Sequence, residues 1–358
     1  MKFPCQGQWW LPGSKNKPVF GTLTFTRRDG ANLSLADSLT VDSDDSEAEV
    51  IVGQTASGGY VTLLHAICTS ASLLRLTPVS PCSYHAPLVV TGAAFDSPAE
   101  MRFSLWQVRF PELSAWVEKR SFEIDSSELC EGKECPAVSI AYGTPPGQVL
   151  LNEAGEISVA LRFWPLLTRR PDVATIKQDE CLEVRMEGRD TLKDYMQTVT
   201  RFEHFLTLAT GSLVGTPSIK AIVRTDGAGT ANGPILVDIL YQPVRNAPRR
   251  KRPGIEKPLF TLPEIAGHEE SCFRNWFTKA DWLDPVCALY FGTLYNPSRY
   301  LELNFLTFIQ AVEAYHRRAS DETDRPPDEH AARMKTILDA APAEHRGWLR
   351  EKLRYSNE

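Results

Sequence analysis

Two residues on one predicted helix, Glu313 and His316, have side chains that could take part in acid–base chemistry. They lie three residues apart and therefore share one face of the helix. One hypothesis is that they orient a catalytic pocket that a later helix or a partner chain completes. The alternative is that Glu313 is a surface charge and His316 an exposed residue near the end of the helix, where positive charge is favourable.

A second candidate is the basic run of Arg249, Arg250, Lys251 and Arg252. Four adjacent cations could contact the phosphates of an RNA. They also lie in the proline-rich stretch 242–254, and such charged, proline-rich stretches are common as solvated linkers. We favour the linker interpretation. RNA is therefore a possible partner that this run alone does not establish.

Other kinds of chemistry find no support in the sequence. The eight cysteines form no Cys-x-x-Cys pair, and Cys130 and Cys135 lack a second pair at zinc-finger spacing. The Gly-rich stretch 226–233 lacks the Gly-Lys-Ser/Thr ending of a phosphate loop, so it predicts a long connection between two strands. Ser212 and Ser298 have no nucleophile-elbow context. We therefore predict no metal and no cofactor.

Length and composition indicate an ordinary globular protein. A chain of 358 residues suggests two domains, and a net charge of −6 argues against binding of nucleic acid by the whole surface. No apolar stretch has the length of a signal peptide or of a membrane span, so the sequence predicts a cytoplasmic protein that does not contact membranes.

The sequence up to about residue 187 has the pattern of β structure. Residues 20–25 and 101–110 alternate apolar and polar side chains, as half-buried strands do. Turn residues separate many short strands, which predicts a sandwich or a distorted barrel. The adjacent Trp9 and Trp10 would face opposite sides of a strand, and core or interface packing is expected for them.

A long helix follows, capped by Thr191 and ended by Gly211. Its apolar stripe needs a sheet to cover, so we assign it and two later strands to the first domain. The predicted fold class is therefore α+β: a β-rich domain with an appended helix over 1–242, a basic linker over 243–258, and an all-α bundle over 259–358.

The bundle is predicted to contain helices near 269–278, 284–294, 300–318, 329–340 and 343–353. The helix over 300–318 is the most apolar, with its apolar residues recurring at intervals of three and four. Such a helix is usually central to a bundle, and little sequence follows it. We therefore expect an incomplete bundle that could form a homodimer through its exposed apolar face.

Six segments together resemble the ApeA-type proteins. They are 7–12 (GQWWLP), 19–25 (VFGTLTF), 50–55 (VIVGQT), 59–64 (GYVTLL), 205–211 (FLTLATG) and 310–317 (QAVEAYHR). The resemblance implies a bacterial anti-phage protein of the abortive-infection type. It also implies an N-terminal domain that senses an unknown phage-derived trigger, followed by a HEPN domain, which in this family is a metal-independent ribonuclease.

The chain departs from the HEPN pattern where catalysis would occur. A HEPN nuclease needs a His to move the proton of the attacking 2′-hydroxyl and an Arg to hold the phosphate charge. The nearest match is Arg325 with His330, and the two prolines between them predict a loop or a helix start. We therefore expect that the catalytic helix is missing and that this chain alone is inactive. The alternatives are a non-enzymatic binding or regulatory protein and, with less support, a carbohydrate-binding β-sandwich.

Overall fold

A computed structural model describes residues 1, 3–39, 47–71, 81–119, 121–126, 138–153, 156–224, 233–243, 258–320 and 326–353. The chain divides into two compact units, Met1–Thr278 and Lys279–Glu358. The predicted Gly-rich connection 226–233 and the predicted linker 243–258 lie almost entirely outside the described residues.

The described part of the first unit is mainly β structure. Its strands are β1 (Cys5–Trp10), β2 (Val19–Thr26), β3 (Gly30–Leu35), β4 (Glu47–Thr55), β5 (Tyr60–Ala71), β6 (Cys82–Ala86), β7 (Leu88–Thr91), β8 (Phe103–Arg109), β9 (Phe122–Ser126), β10 (Val138–Tyr142), β11 (Gln148–Glu153), β12 (Ile157–Arg169), β13 (Ala174–Met186), β14 (Ser218–Val223) and β15 (Leu236–Tyr241). Its helices are α1 (Leu113–Val117), α2 (Leu192–Thr210) and α3 (Glu269–Thr278).

Thirteen of these strands form one sheet that closes on itself at one end. The order is β11-β12-β13-β8-β14-β15-β7-β5-β4-β1-β2-β3-β6, and β5 also pairs with β6. Strands β1 to β6 therefore form a closed six-stranded barrel, while β7 continues from β5 into the open part of the sheet. The predicted barrel-like β domain is confirmed.

The two adjacent tryptophans fill two different cores. Trp9 is fully buried inside the barrel among residues such as Leu33 and Leu63. Trp10 points to the other face and packs in the larger core between the open sheet and its helices. The alternation of side chains along β1 explains this division, so the prediction that both tryptophans serve packing is confirmed.

Helix α2 covers the open sheet as the sequence predicted. The Thr191 side chain accepts a hydrogen bond from the Asp194 backbone N–H at 3.3 Å, and Gly211 ends the helix with a φ of 66°. Tyr195 stacks on Trp106 of β8 with ring centroids 4.8 Å apart. Burial raises the pKa of the Tyr195 phenol to about 12.

Helix α3 belongs to the first unit, whereas the sequence-based boundary at 258/259 places it in the helical domain. The Phe273 ring lies 4.6 Å from that of Phe205 on α2 and 6.0 Å from that of Trp116 on α1. The Trp276 indole N–H also donates to the Arg201 carbonyl at 3.0 Å. These contacts with distant parts of the chain hold residues 259–278 against the β-rich unit.

The second unit is helical. It contains α4 (Ala280–Tyr295), α5 (Leu301–Ala319), α6 (Pro327–Ala340) and α7 (Arg346–Lys352). Each corresponds to a helix predicted for the bundle, with bounds that differ by a few residues. Helices α4 and α5 pack along each other, with the rings of Tyr290 and Phe308 5.6 Å apart.

Candidate functional site

The most extensive exposed apolar surface of the second unit follows α5. The exposed apolar side chains of this helix are those of Leu301, Leu303, Phe305, Leu306, Ile309, Val312 and Tyr315. Phe305 is 61% exposed and Val312 is 64% exposed. Contiguous apolar area of this kind is unusual on a monomeric soluble protein and marks interaction sites.

The connection between α4 and α5 is fixed by one amide side chain. Asn304 accepts a hydrogen bond from the Ser298 backbone N–H at 2.8 Å and donates to the Ser298 carbonyl at 3.0 Å. A small open cavity of about 230 Å³ lies beside it, lined by residues that include Gly292, Thr293 and Thr307. Its lining contains no charged side chain, so we assign no chemistry to it.

Glu313 and His316 lie on α5, and both side chains are exposed. The Glu313 carboxylate forms a salt bridge of 2.9 Å with Arg317, one helical turn later. An exposed pair of this kind contributes little to stability. Nothing in the structure assigns either residue a catalytic role, so their part in a pocket stays a prediction.

The other candidate residues are only partly described. His330 lies in the first turn of α6, where its backbone N–H donates to the Pro326 carbonyl at 3.0 Å. Arg325 and the basic run of residues 249–252 lie outside the described residues. Within the described residues, no group of three or more His, Cys, Asp and Glu side chains is arranged to hold a metal ion.

Comparison with protein families accounts for most of the chain. The family described as ApeA N-terminal domain 1 matches residues 4–276, which include the barrel, the open sheet, helices α1 and α2 and most of α3. The chain belongs to this ApeA family. The family described as Apea-like HEPN matches residues 306–358, from the first turns of α5 onward. No curated protein and no solved structure matches the chain.

The ApeA domain and the HEPN module together are those of an anti-phage defence protein. HEPN domains commonly dimerise and bind RNA, and the exposed apolar surface on α5 is of the kind that dimerisation would cover. Among the helices of the described residues, none has both the length and the apolarity that a membrane span requires.

The sequence analysis missed one exposed feature of the ApeA domain. The sequence predicted β structure up to about residue 187 but not that β12 and β13 are two long, fully paired strands. A signal was present, because Leu182, Val184 and Met186 alternate with Glu183 and Arg185. Together β12 and β13 form a long hairpin that extends beyond its neighbours in the sheet.

Proposed function

We propose that this protein acts in abortive-infection defence, with the ApeA domain as the sensor and the HEPN module as the RNA-directed part. The observation that carries the proposal is the order of the two family matches along one chain. In this arrangement the sensor recognises a phage-derived or host component and controls the HEPN module.

We further propose that residues 1–358 do not supply the catalytic Arg and His of a HEPN ribonuclease. Arg325 and His330 are the nearest match, and His330 lies at the start of α6, next to two prolines. Glu313 and His316 are both exposed on α5, and the Glu313 carboxylate pairs with Arg317 at 2.9 Å. A homodimer through α5 completes the proposal. Residues 249–252 are proposed as a solvated linker, with RNA contact as the alternative.

The test is an RNA-cleavage assay on the purified chain in the presence of EDTA, with single-stranded RNA as the substrate. We expect no cleavage above the buffer background, and no change with His330→Ala. The matched control is His345→Ala, which removes an exposed imidazole elsewhere in the unit. Cleavage that His330→Ala abolishes and His345→Ala preserves would place the catalytic pair within this chain.

A non-enzymatic binding protein is the second candidate function, favoured by the exposed β12–β13 hairpin. The two candidates differ in a phage-challenge experiment on cells that express the protein. Protection accompanied by RNA degradation would show that the HEPN module acts on RNA, and it would contradict the proposed absence of the catalytic pair from this chain. Protection with intact cellular RNA supports a binding role, in which the ApeA domain blocks a phage component directly.

A further inference from the structure

The β12–β13 hairpin extends beyond the strands on either side of it. The two strands pair along their whole length, from Ile157↔Met186 to Arg169↔Ala174. Strand β11 reaches only as far as Leu161, and β8 pairs with β13 only from Leu182. In the described part of the chain, residues 162–169 and 174–181 thus extend as a two-stranded hairpin, which we call the hairpin arm. Its base packs on the rest of the unit, where Cys181 is buried and Asp179 pairs with Arg109 at 3.1 Å.

Elsewhere the large sheet protects its edges. The barrel removes them by closure of β5 on β6, and helix α3 packs along the terminal strand β11, where Gln148 donates to the Glu269 carboxylate at 2.9 Å. Proteins cover or block exposed edges because unpaired backbone groups pair readily with another chain. An uncovered edge on the hairpin arm is therefore a departure from the rest of this sheet.

The two edges of the hairpin arm are not equivalent. Arg170 and Val173 exchange both backbone hydrogen bonds at the turn, at 2.7 and 3.4 Å. In an antiparallel pair of strands, residue pairs that hydrogen-bond each other alternate with pairs whose backbone groups point away from the partner strand. Leu167 and Ile176 form a pair of the second kind, and Pro165 belongs to the next such pair. Pro165 has no N–H to donate, so it blocks the β12 edge. The β13 edge offers the outward N–H and C=O groups of Ala174, Ile176 and Gln178.

The side chains beside the β13 edge define what could bind there. Ile176 lies directly opposite Leu167, which is 70% exposed, so the two side chains form an apolar pair on one face of the hairpin arm. Lys177 lies on the other face. From residue 162 to residue 181 the chain has four basic and three acidic residues, and Asp179 at the base of the hairpin arm is paired with Arg109 at 3.1 Å. Nearer the turn, Arg169, Arg170 and Lys177 outnumber Asp172, so the outer end of the hairpin arm carries a net positive charge.

We propose that the β13 edge captures an extended segment of a partner protein, in which apolar and acidic residues alternate. The segment would add a strand beside residues 174–178, the mode of recognition known as β-augmentation. Its apolar side chains would contact Ile176, and its acidic side chains would lie near Lys177. If the ApeA domain is the sensor, as proposed above, this partner is the component that it senses. The binding itself does not depend on that role.

The test uses a short capped peptide in which valine and glutamate alternate, labelled for fluorescence anisotropy. We expect it to bind the purified full chain, and Ile176→Pro to weaken binding by about tenfold or more, since proline removes an outward N–H. The matched control is Leu167→Pro, which changes the residue directly opposite, on the edge that Pro165 already blocks. Lys177→Glu should also weaken binding. Circular dichroism confirms that each variant is folded.

Hydrogen exchange of the wild-type protein locates the bound peptide without any substitution that could perturb the fold. We expect the amides of Ile176 and Gln178 to become protected when the peptide binds. Absence of peptide binding, binding that Ile176→Pro leaves unchanged, or equal binding of a valine–lysine peptide would overturn the proposal. None of these assays measures RNA cleavage or phage protection, so the inference and the proposed function can fail separately.

Discussion

At the scale of single residues, the contact between Gly53 and Trp9 is the most restrictive in the barrel. A Cβ atom on Gly53 would overlap the six-membered ring of the Trp9 indole. The indole is fully buried and has little space into which it could move. The absence of a side chain at position 53 is therefore a condition for the tryptophan to occupy the barrel interior.

We predict that Gly53→Ala lowers the free energy of unfolding by about 1–3 kcal/mol, the usual cost of overpacking a core. Urea unfolding followed by tryptophan fluorescence measures the change. Gly143→Ala is the matched control, since a Cβ there meets no atom within 4 Å and the substitution should be nearly neutral. Equal stability of the Gly53→Ala variant and the wild type would show that the barrel interior adapts more readily than its packing indicates.

At the scale of elements, the N-cap residue Thr191 fixes where helix α2 begins. Thr191 satisfies a backbone N–H that the helix itself leaves free, and its hydroxyl also donates to the Asp194 carboxylate. We predict that Thr191→Ala destabilises the protein by about 1 kcal/mol. Thr200→Ala, at an exposed position in the same helix, should have little effect. Thermal unfolding of the two variants compares them directly, and equal melting temperatures would contradict the assigned role of the cap.

Local signals in the sequence predicted the elements well where each element carries its own pattern. Helix α2 has a cap, an apolar stripe and a terminal glycine, and α5 has a clear apolar periodicity, so both could be located in advance. The outer half of β13 has no such pattern, because both of its faces meet water and no core selects apolar residues there. The sequence also could not predict that α3 packs in the first unit. Its position depends on aromatic contacts with α1 and α2, which are remote in sequence.

The candidate site was predictable only in part, for a related reason. Residue types and spacing placed Glu313 and His316 on one helix, and the structure has them on α5. The sequence could not show that Glu313 pairs with Arg317, nor that the edge of β13 is left uncovered. Both facts depend on which groups are neighbours in space.

At the scale of the whole molecule, the exposed apolar surface of α5 bears on the oligomeric state. We predict that the protein forms dimers through α5 and that Phe305→Asp shifts the population towards monomers, because the variant would bury a charge in the interface. Gln310→Asp adds the same charge at an exposed polar position of this helix and serves as the control. Light scattering over a range of concentrations reports the mass. A wild-type protein that stays monomeric at high concentration would disprove dimerisation.

The closed barrel also has a consequence for synthesis on the ribosome. Strands β1 to β6 end at Ala86, so the barrel can close as soon as this part of the chain has emerged. Its neighbour β7 must then wait for β15, the strand that pairs with its other side. At roughly 5–20 residues per second, translation of the intervening chain takes on the order of ten seconds. During that interval the nascent protein carries an unpaired β7 edge, and the speed of translation sets how long incorrect pairing can compete.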